Sequence, residues 1–64
     1  MAELSKAAGL RIAEAVREAC VRQAQQGFEQ AAISGLCHEG AVEAAVGAIR
    51  MLDLEAVLRE FDVG

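Results

Sequence analysis

Within the stretch Ser34 to Leu52, the residues Gly40, Ala44, Gly47, Ala48 and Met51 fall along one side of a single α-helix. Glycine and alanine at that spacing offer almost no side-chain area, so such a face gains stability only by letting another helix backbone come close. The segment therefore reads as a packing surface for a tight helix crossing, and a second chain is the expected partner, with Gly40, Ala44, Gly47, Ala48 and Met51 as the interface. No β-branched alternating run of useful length exists to support a strand, so the expectation is an all-helical fold. Gly47→Leu would split an assembly built on this ridge or unfold the chain.

The rest of the chain sets how much core such a fold can have. A domain of 64 residues buries only about 60% of the surface its unfolded chain exposes. Apolar residues make up 55% of the sequence, but fourteen of them are alanine and two are aromatic. Alanine favours helix strongly and buries little area. The larger core candidates are Ile12, Val16, Phe28, Ile33, Leu36, Val46, Ile49, Leu52, Leu54, Val57, Leu58 and Phe61. Small scaffolds with thin cores are commonly completed by a disulfide, a metal or another subunit. We expect the last of these, a homo-oligomer with a dimer favoured, or docking on a larger protein.

No proline, low-complexity tract or like-charge run divides the chain, which reads as a single helical domain over 1–64. The first helix is expected from near Leu4, or from after Gly9, to about Ala32. Ala13, Val16, Cys20, Ala24, Phe28 and Ala31 form its inner stripe. Gly27 interrupts this helix as a kink or a contact point. Glu14 with Arg17 and Glu18 with Arg22 mark the solvated side. Ser34 is expected to cap a second helix from about Gly35 to Leu52, with Cys37, Ala41, Ala44, Ala48 and Met51 as its stripe, widened by Leu36, Ile49 and Leu52. Asp53 caps a short third helix, Leu54 to Phe61, carrying the Glu55 and Arg59 pair. The sum is a compact three-helix unit with an antiparallel second helix. Val16, Phe28, Leu36, Ile49, Leu54 and Phe61 are its expected packing anchors.

Ten acidic against six basic residues give a net charge of −4 and a pI near 4.8. That balance argues against electrostatic capture of nucleic acid or an anionic membrane. Arg11 and Arg22 share a face, but the glutamates between them make it a salt-bridged surface. The N-terminus lacks the pattern of a signal peptide and no apolar run approaches bilayer length, so a cytoplasmic location is the expectation. Cys20 and Cys37 are too few for a disulfide framework and are expected as small buried hydrophobes.

Chemistry has one candidate cluster: Cys37, His38, Glu39 and Glu43, near the start of the second helix. A helix N-terminus favours a thiolate at Cys37. Neighbouring positions diverge by about 100°, however, so Cys37 and His38 do not readily aim at one atom. Glu39 and Glu43 lie one turn apart and would bind a divalent ion if another subunit added ligands. We therefore expect no catalytic residue and no cofactor. Cys37, His38, Glu39 and Glu43 stand as the metal candidates, and a redox-sensing thiol or metal site at Cys37 and His38 near a subunit interface as the alternative function. No nucleophile motif, phosphate loop or zinc spacing is present, and we do not expect an enzyme.

Gly35, Leu36, Cys37 and Gly40, followed by the alanine-rich helix and then Leu52, Asp53 and Leu54, give the stretch AAISGLCHEGAVEAAVGAIRMLDLE. It resembles short bacterial all-helical proteins of unassigned function that carry a Gly-Leu-Cys-x-x-Gly element before such a helix. The resemblance spans 25 of the 64 residues. It implies a bacterial setting and no particular reaction.

Overall fold

The computed structural model describes residues 5–60 and is all-helical, with helices Lys6–Ile33 (α1), His38–Arg50 (α2) and Leu54–Arg59 (α3). The expected start at Leu4 and the anchor Phe61 lie outside the described residues. Ser5 begins α1 as its N-cap, its hydroxyl accepting from the Ala8 N–H at 3.1 Å. This satisfies one of the donors that a helix start leaves unpaired.

Gly27 does not break α1, which runs unbroken through it. A Cβ at this position would lie 3.0 Å from the Ala44 carbonyl oxygen, 3.0 Å from the Ala48 Cβ and 3.3 Å from the Ala45 Cα. Glycine is there because α2 crosses at backbone distance. Its helix-propensity cost of about 1 kcal/mol is offset by the close approach it allows.

The turn between α1 and α2 differs from the expected one. Ser34 is the C-cap of α1 rather than the N-cap of α2, and Gly35 follows it at φ +94°. The Leu36 N–H donates to the Ala31 carbonyl at 3.0 Å and the Gly35 N–H to the Ala32 carbonyl at 3.1 Å. This 6→1 and 5→2 pair of bonds is a Schellman closure, which requires a left-handed residue at the glycine position. The sequence Ser-Gly serves either a stop or a start, and the left-handed glycine makes it a stop. As a result α2 begins at His38 instead of near Gly35, with Cys37 in the N-cap position and no side-chain cap bond. It ends at Arg50, two residues before the expected Leu52. Glu39 in its first turn and Arg50 in its last match the helix dipole.

The short connection makes α1 and α2 an antiparallel hairpin, with Phe28 meeting His38 near the turn and Gly27 meeting Ala44 and Ala48 further along. At 1.5 Å per residue α1 is about 42 Å long and α2 about 20 Å, so α2 covers less than half of it. Asp53 caps α3 as expected, its Oδ1 accepting from the Ala56 N–H at 3.1 Å. α3 packs on α1 rather than on α2 and buries Val57.

The buried core is smaller than the sequence promises. Among the described residues only Ala19, Ala31, Ala41 and Val57 are buried, and no large side chain is fully enclosed. Val16 and Phe28 are half-buried, while the expected anchors Leu36, Ile49 and Leu54 and the core candidates Ile33, Val46 and Leu58 are exposed. On α1 the inner stripe centres on Ala19, and Ala13 faces solvent. The radius of gyration is 14.9 Å, against about 11 Å for a compact domain of this length. No described helix is long and apolar enough to cross a membrane.

Candidate functional site

Two apolar faces run along α2. Its inner face is the alanine set Ala41, Ala44, Ala45 and Ala48, which lies on α1. Ala41 is 1% exposed, and Ala44 and Ala48 close on Gly27. The ridge expected to bind a partner is thus divided. Ala44 and Ala48 are used inside the chain, and Gly40 sits beneath Leu36, whose Cδ2 would lie 3.2 Å from an added Cβ. Gly47 and Met51 face outward: nothing lies within 4 Å of a Cβ at Gly47, and Met51 is 86% exposed. A side chain at position 47 fits within the single chain, so the unfolding outcome expected of Gly47→Leu has no clash behind it.

The outer face consists of Val42, Val46 and Ile49, at steps of four and three residues, each about two-fifths exposed. At 100° per residue they fall within an arc of about 60°, turned away from the alanine face by about 110°. Beside them Val42, Glu43, Val46, Gly47 and Arg50 line an open groove of about 330 Å³. Glu43 and Arg50 form its charged edge.

The Cys37 cluster is placed differently from expectation. Cys37 is exposed rather than buried, because it occupies the N-cap position and not the stripe of α2. Cys20 is half-buried, and both thiols are free. The His38 ring meets Phe28 edge-on, with centroids 5.8 Å apart at 74°. That contact sets the exposed imidazole beside the hairpin end. Glu39 and Glu43 are exposed. Among the described residues, no three His, Cys, Asp or Glu side chains come together in an arrangement that could hold a metal ion.

The chain matches no protein-family model, no curated protein and no solved structure.

Val46 and Ile49, expected in the core, belong to this outer face, and Val42 and Arg50 join them without having been expected there. The signal was present as a four-then-three apolar spacing. It lay beside a second apolar stripe on the same helix, and periodicity alone does not say which of two stripes faces inward. The solvated side of α1 is as expected at one pair, Arg17 to Glu14 at 2.7 Å. Among the described residues Glu18 with Arg22 and Glu55 with Arg59 form no ion pair within 4 Å.

Proposed function

We propose that this chain is a small non-enzymatic interaction or accessory protein that works by self-association through α2, in the bacterial cytoplasm. The observation carrying this reading is the inversion of its core. Among the described residues three alanines and one valine are buried, while Leu10, Val21, Ile33, Leu36, Val42, Val46, Ile49, Met51, Leu54 and Leu58 are exposed. Fully burying one such side chain stabilises by about 1.5–3 kcal/mol, so a partner that covers several supplies what the single chain lacks. The free thiols fit a reducing compartment, and the Gly-Leu-Cys-x-x-Gly resemblance supports the bacterial setting.

Sedimentation velocity of the reduced protein over a wide concentration range tests the reading. A concentration-dependent dimer or larger assembly is expected. A species that stays at 6.7 kDa throughout would contradict self-association.

The rival reading is a redox-sensing thiol or metal site at Cys37 and His38. It is supported by the exposure of Cys37 at the start of α2. Rapid, pH-dependent alkylation of Cys37 in the folded protein, or stoichiometric metal lost in His38→Ala, would favour it. Slow alkylation and a metal-free preparation would remove it.

A further inference from the structure

The groove edge of α2 carries more information than its apolarity. Val42, Val46 and Ile49 repeat at the four-three spacing of a coiled-coil seam, and Glu43 and Arg50 are seven residues apart on one flank of it. Seven residues are two helical turns, about 10.5 Å, so these two charges do not reach one another within the chain. They occupy equivalent positions on the same edge, and in antiparallel helix pairs such edges face each other.

The geometry points to a second copy of this chain as the occupant, docked α2 against α2 in antiparallel orientation about a two-fold axis near Val46. This inference rests on the self-association reading and adds the face and the register. The two-fold sets Val46 against its own equivalent, Val42 against Ile49 of the partner subunit, and Glu43 against Arg50 of the partner subunit. Each contact then occurs twice, as an isologous interface requires. A parallel pairing would instead set Arg50 against Ala45 of the partner subunit and leave the guanidinium without an acid.

The chain exposes 5240 Å², whereas a compact monomer of its mass exposes about 3,900 Å². The surplus, roughly 1,300 Å², is spread over the three helices, and Val42, Val46 and Ile49 are among the exposed large side chains that carry it. Nothing lies within 4 Å of where a Gly47 Cβ would stand, so the groove beside Val46 is open. The inner alanine face is already closed on α1, which leaves the outer face as the side of α2 a second copy can reach.

Two sets of variants, followed by sedimentation equilibrium with circular dichroism to confirm helix content, test the interface. Val46→Glu places a charge at the centre of the seam and is expected to abolish the dimer. Glu43→Arg and Arg50→Glu each turn both edge pairs into like-charge pairs and are expected to weaken it about tenfold. A one-to-one mixture of the two reversals restores both pairings and should recover a heterodimer of wild-type affinity. Both reversals are at exposed positions, so they carry the test even if Val46→Glu unfolds. A wild-type chain that remains monomeric would overturn the self-association reading and this interface together. A wild-type dimer unaffected by Val46→Glu and by both reversals would overturn this interface alone, and reversals that weaken the dimer without rescue on mixing would overturn the antiparallel register.

Discussion

The two faces of α2 differ in residue size in the sense opposite to an ordinary domain. The inner face is alanine and meets α1 across Gly27, and the outer face carries Val42, Val46 and Ile49 into solvent. In most domains the larger side chains turn inward because buried area is what stabilises. Here the inner contact is made close instead of large. Two helices that approach at glycine and alanine gain backbone proximity and shape fit, but bury little area. The hairpin is thus set by steric fit on one side and carries exposed apolar side chains on the other.

The sharpest way to break the inner face is Gly27→Leu. A side chain there collides with the Ala44 carbonyl and the Ala48 Cβ, and overpacking of this kind costs about 1–3 kcal/mol. In so small a domain we expect thermal melting by circular dichroism to show a collapsed transition. A wild-type melting curve would mean that α2 does not sit on Gly27. Next in size is Gly35→Ala at the turn. Its φ of +94° makes any Cβ strained, at about 1–2 kcal/mol, and a chemical denaturation midpoint should fall accordingly. An unchanged midpoint would place the turn in another conformation.

Asp53→Ala removes the cap bond to Ala56 and should cost about 1 kcal/mol, felt mainly as faster amide exchange in α3. Equal exchange in variant and wild type would argue against that cap. On the outer side, Gly47→Ala meets open space and gains helix propensity. Held at dilutions where the chain is monomeric, it should be more stable by about 0.5–1 kcal/mol, the opposite sign to Gly27. A destabilised Gly47→Ala monomer would show that position 47 is covered within the chain. Smallest of all, Arg17→Ala removes the exposed pair with Glu14 and should shift stability by only a few tenths of a kcal/mol.

Much of the helical plan was legible in the sequence. Periodicity located the three helices, and the Asp53 cap was readable because its oxygen lies at the right offset before an apolar turn. The start of α2 was less so, since Ser34 and Gly35 spell a helix stop as readily as a start. Only the left-handed backbone at Gly35 decides between them. Gly27 was ambiguous for a similar reason, because a glycine in a helix reads as a weakness until the crossing helix is in place. For the candidate site, the small-residue face was visible but not its division between α1 and solvent. Cys37 was misplaced because a one-turn shift in the start of α2 moves it from the buried stripe to the exposed cap.

An isotope-filtered nuclear Overhauser experiment on a mixture of ¹³C-labelled and unlabelled chains tests most directly whether the inner face is intramolecular and the outer face intermolecular. The account predicts intermolecular contacts from the Val42, Val46 and Ile49 methyls, with those of Ala44 and Ala48 seen only within one chain. Intermolecular contacts centred on Ala44 and Ala48, or none at the valines in a sample that is dimeric by mass, would contradict it.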